Sequence, residues 1–325
     1  MPEADRPTGT DEADRAERPR RRQARWAVAA VAAAVIGAGV AILAARSPEA
    51  PAATVFRVPG QPTGLVADRG RVWVAGPVSG EIWVLDGASG EAARPPLHVG
   101  GTPARLVLDR RFAYIADTQR GAVVRVPLSG PSAPRPLRSG PDVADVAIAG
   151  GAIWTASSAD GTIRVIGADG RRRVLQVGAR PVALAADERR VVAADAGGAL
   201  IRLDARSGRT DGPAVTVGGT PSDIALQGDR AWIADTRAGT VRAVALRSGV
   251  VGPAVAVGRS PVAIAADRGG VFVLCRGDRT LVELDAADGA VRERRHLDYA
   301  PTALALDPRH VWIAAGDHEV IRVDR

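Results

Sequence analysis

The sequence predicts an all-β fold, a seven-bladed β-propeller of four-stranded blades, on three observations. An aromatic or large apolar residue recurs at Trp73, Tyr114, Trp154, Val192, Trp232, Phe272 and Trp312, with spacings of 41, 40, 38, 40, 40 and 40. Eleven residues before each stands Pro62, Pro103, Pro181, Pro221, Pro261 or Pro301; in the third unit that slot is Val143, and Pro141 lies two places early. Each unit carries four short apolar runs separated by turn residues. A period near 40 with four strands per unit is the signature of a propeller.

The strands follow in order. The first comes after the Pro slot, as in GLVAD, RLVLD and ALALD. The second is the VWVAG phrase, with a small residue two places after the recurring aromatic everywhere except Leu274. The third reads EIWVLD, AVVRVP or VIRVD, and the fourth is short and ends in Val, as in LHVG and AVTVG. Turn phrases such as DGASG, DARSG and DAADG separate third from fourth, since Asp, Ser and Gly close tight reversals. The recurring aromatics are expected to pack between blades.

Ring closure is written at the two ends of the repeat region. The seventh unit stops at Arg325, after its third strand. The segment TVFRVPGQP has the phrasing of a fourth strand leading into a new Pro: Val58 precedes Pro62 by four, as Val99 precedes Pro103 and Val257 precedes Pro261. Residues 54–58 are therefore expected to complete blade seven, removing an exposed edge that would invite further strand pairing.

Before the repeats lie three segments. Residues 1–25 are polar and without apolar period, read as a disordered, Arg-rich cytoplasmic tail. Residues 26–45, WAVAAVAAAVIGAGVAILAA, carry no charge. As a helix they span about 30 Å, the thickness of a hydrocarbon core. Arginines crowd the N-terminal flank, so the positive-inside rule places the tail in the cytoplasm and residues 54–325 outside, behind a linker at 46–53. The run is longer than the 7–15 apolar residues usual in a signal peptide, which favours a retained anchor; small residues such as Ala44 and Ala53 keep cleavage and secretion as the alternative.

Composition narrows the chemistry. The net charge is +7, but the arginines are spread through the repeats among acids, without a basic stripe and interleaved aromatics, so nucleic acid is not expected as a partner. The chain has no Lys and no Asn, four histidines and one cysteine, so Cys275 forms no disulfide within the chain and is read as a small buried hydrophobe.

The phrases P-x-x-[LIV]-A-x-D, VW-[IV]-A, G-x-[IV]-x-x-[LV]-D and VG-x-x-P, across all of 54–325, resemble the YVTN/NHL-type propellers, YncE-like bacterial proteins among them. The resemblance implies the seven-bladed frame. It carries no activity across, because the matching residues are structural; the group includes binding scaffolds, extracellular sensors and a few enzymes.

Strand one begins, and strand two ends, on one face of the disc. Two residues after the Pro slot come Gly64, Arg105, Asp145, Ala183, Asp223, Ala263 and Ala303. Arg105, Asp145 and Asp223 are thus expected at the channel mouth, with Asp117, Asp195 and Asp235, three residues after the aromatic slot, further out. One reading makes these a polar mouth for a cation or peptide. The other makes the Asp residues turn caps that accept backbone N–H groups. A lyase on this frame would need histidines and an acid meeting around the channel, and only His318 falls in a loop of that face. A lactonase-type hydrolase would need acids and Asn around a divalent ion. Arg276-Gly277-Asp278 spells an adhesion tripeptide, a match too short to weigh without context. The expected function is a membrane-anchored, non-catalytic binding, scaffold or sensor protein with a cell-envelope protein or peptide as partner and no cofactor. The alternative is an extracytoplasmic metal-dependent lyase or lactonase-type hydrolase.

Overall fold

A computed structural model describes residues 53–130, 133–178 and 180–325. These form seven four-stranded antiparallel sheets, each built from consecutive strands except the last. Blade 2, for example, runs Pro103–Leu108, Phe112–Asp117, Ala122–Pro127 and Arg135–Arg138. The first strand of every blade lies beside the first strands of its two neighbours, and blade 7 meets blade 1, so the ring closes. The expected tail, the membrane helix and all of the expected linker except Ala53, which opens the closing strand, lie outside the described residues. Among the described residues no helix is long and apolar enough to cross a membrane.

Closure uses the strand that the Val58 spacing predicts. Ala53–Arg57 pairs antiparallel with Glu319–Asp324, setting Thr54 opposite Arg322 and Phe56 opposite Val320. One residue on, the Val58 amide donates to the His318 carbonyl at 2.8 Å. The last sheet thus joins the two ends of the ring by main-chain hydrogen bonds, and no third strand is left as a free edge.

The hydrophobic core is divided into seven clusters, one at each junction between blades. The recurring aromatic position explains the division. Trp154 of blade 3 packs with Val191 and Ala193 of blade 4, and Trp73 of blade 1 packs with Ala113 and Ile115 of blade 2. Trp312 of blade 7 packs with Val72, Val74 and Leu85 of blade 1. A strand alternates faces with period two, so one large residue in the second strand reaches the next sheet while small residues beside it allow close approach. Cys275 is fully buried in the junction of blades 5 and 6, as a small apolar group, and burial pushes its thiol up to about 11.

Candidate functional site at the channel mouth

In six of the seven blades the inner strand starts with a disturbance of register. In blades 3 to 7 the shift falls between the Pro-slot residue and the residue two places on, such as Val143/Asp145 and Pro221/Asp223. In blade 2 it is longer, running from Pro103 to Leu106, and Arg105 lies inside it. Such irregularities re-aim a side chain at a strand end.

The two inner acids are held in the same way. Asp145 Oδ1 accepts the Val146 amide at 2.8 Å, and its Oδ2 accepts the Leu184 amide of blade 4 at 2.8 Å. Asp223 Oδ1 accepts the Ile224 amide at 3.1 Å, and its Oδ2 accepts the Ile264 amide of blade 6 at 3.0 Å. Each carboxylate therefore sews its own blade to the next. Both are buried, at 6% exposure. Arg105 approaches from blade 2: its Nη1 lies 3.6 Å from Asp223 Oδ2. Its side chain keeps 34% exposure although protein surrounds it, as befits a group standing in an open channel.

Charge and burial oppose each other here. The Asp223 carboxylate holds the Arg105 guanidinium firmly in its charged form, burial works against that, and Asp145 adds to the hold. Burial pushes Asp145 up to about 6; Arg105 pulls it down, and the neighbouring Asp223 charge pushes it up again. With one guanidinium and two carboxylates the cluster carries one net negative charge near neutral pH and none once Asp145 is protonated.

The remaining predicted acids do not join this cluster. Asp117 Oδ1 accepts the amides of Thr102 and Arg120 at 3.2 and 3.1 Å, and Arg120 Nη1 stands 3.7 Å from Oδ2. Asp195 accepts the Arg180 amide at 2.5 Å and the Gly197 amide at 2.7 Å. Asp235 Oδ1 accepts the amides of Arg237 and Ala238, both at 3.0 Å. They close turns within their own blades, the structural role the sequence offered for them. Gly219 shows how tight this arrangement is: its φ is +73°, and a Cβ there would lie 1.6 Å from Asp235 Oδ2. The Asp278 carboxylate of the Arg-Gly-Asp tripeptide is likewise engaged, by the Arg259 amide at 2.6 Å and Arg259 Nε at 2.5 Å.

Sequence reasoning missed the hydroxyls of this face. Ser222 and Thr302, one residue after their Pro slots, donate to the carbonyl of the next blade's slot, Pro261 and Pro62, at 2.9 and 2.6 Å. A hydroxyl directly after the Pro was the available signal.

The four histidines stay apart. His98 and His296 end outer strands, and His310 bonds Asp307 at the start of a second strand. His318 lies in the loop before Glu319–Asp324, where its backbone amide donates to Glu319 Oε2. Among the described residues no three His, Cys, Asp or Glu groups come together as a metal-ligand set.

No protein-family model matches the chain, and no curated protein sequence matches it. Solved structures do resemble it. A streptogramin B lyase superposes with a TM-score of 0.71 at 16% identity, covering 84% of this chain and 98% of that one. A catalytically inactive virginiamycin B lyase from Staphylococcus aureus with quinupristin gives 0.70 at 17%, covering 84% and 100%. The WD40 β-propeller domain of Doa1 gives 0.69 at 15%, covering 84% and 95%. The likeness is one of fold. It spans a lyase and a WD40 domain alike, so it assigns the frame and leaves the activity to the side chains.

Proposed function

We propose that the chain is a non-catalytic binding or scaffold propeller of the YVTN/NHL type, held on the outer face of the membrane by residues 26–45, with a cell-envelope protein or peptide as partner. Signal transmission through that helix is the sensor form of the same reading. The observation that carries it is the channel mouth. A partly exposed Arg105 stands beside Asp145 and Asp223, whose oxygens are committed to the backbone of adjacent blades. Groups locked in this way suit the recognition of a charged or polar partner on a rigid face. The lyase alternative shares the frame of two fold neighbours, but His98 and His296 end outer strands of blades 1 and 6, apart from His310 and His318 of blade 7.

The test is site-directed photocrosslinking of the full chain in intact cells, with the probe at Gln119 on the mouth face or at Val174 on an outer strand. The expected result is an envelope protein or peptide joined from Gln119 alone, and lost when Arg105→Gln is introduced. Equal crosslinking from both probes, or an adduct that survives Arg105→Gln, overturns the proposal. So does its absence from both.

A further inference from the structure

The ring supplies its own controls, because one structural position recurs in every blade. Opposite the aromatic slot, the third strand carries an arginine in three blades: Arg125 faces Tyr114, Arg202 faces Val192 and Arg322 faces Trp312. In blades 4 and 7 this arginine reaches into the next blade. Arg202 Nη1 donates to the Leu246 carbonyl at 2.7 Å, and Arg322 Nη1 donates to the Gly87 carbonyl at 2.6 Å. The carbonyl at the equivalent place in blade 3 belongs to Ala168. Arg125 makes no hydrogen bond or ion pair to it or to any other group among the described residues. Both residues instead line a cavity of about 490 Å³ at the junction of blades 2 and 3.

The walls of this cleft are cationic and aromatic. The Arg125 guanidinium stacks 4.6 Å from the centre of the Phe112 ring, and Arg111 stacks 5.4 Å from it. Arg135, from the outer strand, is the third arginine. Stacking on one ring orients both guanidiniums without using their N–H donors, which stay available to a ligand. Asp109 offsets one positive charge, and its oxygens are taken by the Tyr114 hydroxyl at 2.9 Å and the amides of Arg111 and Phe112, both at 2.6 Å. Asp169 on the far wall is paired with Arg171 at 3.4 Å. Three arginines less one unpaired acid leave a charge of two.

Two corresponding clefts elsewhere are neutralised from within. Between blades 6 and 7, Arg325 binds Asp267 through both terminal nitrogens at 2.6 Å, and the lining holds three acids against two arginines. Between blades 4 and 5, Arg190 reaches Asp229 at 2.8 Å and Asp187 at 3.1 Å, with three acids against three arginines. In neither of these two clefts do the arginines of the lining outnumber the acids, as they do in the blade 2–3 cleft.

We propose that the cleft between blades 2 and 3 binds the phosphate monoester of a small, soluble molecule, with Arg111, Arg125 and Arg135 on the phosphate. A monoester dianion matches the excess charge and offers enough acceptor oxygens for several guanidinium forks, whereas a carboxylate satisfies one fork and leaves positive charge over. The site lies on a different part of the ring from the channel mouth and does not depend on the function proposed there.

Isothermal titration of the purified full chain with phenyl phosphate tests it. Saturable binding is expected, with inorganic phosphate weaker. Arg125→Met and Arg111→Met are each expected to raise the dissociation constant by about tenfold or more, the loss of a charge-assisted hydrogen bond, while Arg268→Met in the blade 6–7 cleft leaves it unchanged. Should Arg125→Met lower the thermal midpoint, Arg111→Met is decisive, since Arg111 is exposed. An absence of saturable binding, or affinity unaltered by both cleft variants, overturns the site. Phenylacetate binding as tightly as phenyl phosphate overturns the phosphate class. Binding to phosphatidic acid vesicles without binding to phenyl phosphate overturns the soluble ligand in favour of a lipid headgroup.

Discussion

Replacing Phe56 by alanine tests whether ring closure holds the propeller together. Phe56 belongs to the strand Ala53–Arg57, which pairs with the last strand of the chain. Its ring stacks on Trp312 with centroids 5.8 Å apart, lies 5.6 Å from the Arg322 guanidinium, and is 9% exposed. A Cβ placed on Gly90 of blade 1 would come within 1.8 Å of the ring, so the Phe56 side chain also fills the space between blade 7 and blade 1. Truncating a buried Phe costs about 3–5 kcal/mol, the transfer term plus the cavity term. This site should lie at the upper end, because β-sheet neighbours on both sides cannot collapse into the gap. Domains of this size shift by about 2–4 °C per kcal/mol, so the midpoint is expected to fall by about 8–20 °C. The assay is thermal unfolding of the full chain by circular dichroism, with Val55→Ala as control, since Val55 is 50% exposed in the same strand. A Phe56→Ala midpoint within 2 °C (roughly 1 kcal/mol) of the wild type would refute the view that this strand locks the ring.

Two further outcomes follow from the channel face. The native Asp145 carboxyl titrates near 6, above its ordinary 3.8, so the folded state holds that proton more tightly than the unfolded chain. Stability from this group is therefore present at low pH and lost as pH rises through 6, by about 2 kcal/mol between about pH 4.5 and pH 7.5. Urea unfolding of wild type and Asp145→Asn across that window should diverge by this amount, and parallel curves would exclude Asp145 as the source. Gly219→Ala places a side chain at φ +73° and against the Asp235 carboxylate. It should destabilise by about 1–3 kcal/mol, measured by the same unfolding, because the backbone strain adds to hydrogen bonds that Asp235 must release. An unchanged midpoint would mean that this turn can relax.

How far the structure was legible in the sequence depended on the distance over which the physics acts. The slots Trp73 to Trp312 and the Val58–Pro62 spacing were readable because each is a local phrase repeated around the ring, and a repeat pattern reports its own register. The turn-capping role of Asp117, Asp195 and Asp235 was readable for a related reason, since their acceptors serve amides close in sequence or at the entry to the same blade. The sewing of blades by Asp145 to Leu184 and Asp223 to Ile264 was not, because those partners are 39 and 41 residues away and meet only after the ring has curved. The pairing of Arg105 with Asp223 skips two blades. The blade 2–3 cleft was least visible. Arg125 looks like Arg202 in one dimension, and only the missing carbonyl contact separates them.

A repeat fold exposes function where a slot departs from its copies, because whatever the ring needs for stability must recur. Glycine or alanine fills the inner slot of blades 1, 4, 6 and 7, and the ring closes there without a charge. Arg105 and Asp145 break that slot in blades 2 and 3, joined by Asp223 of blade 5. The same pair of blades holds the longer register shift after Pro103, the Val143 that replaces a proline, and Tyr114 where four other blades use tryptophan. Each departure alone is tolerable noise. Together they leave buried charge at the channel mouth and unneutralised charge in the blade 2–3 cleft. Such charge costs stability unless a partner satisfies it, because low-dielectric surroundings penalise an unmatched ion. The junctions that follow the repeat closely give the ring the margin to carry those that do not. A variant carrying Arg111→Met and Arg125→Met, which leaves the inner slot untouched, should accordingly be at least as stable as the wild type and bind no phosphate monoester. A marked loss of stability in that double variant would place these two arginines with the scaffold instead of the site.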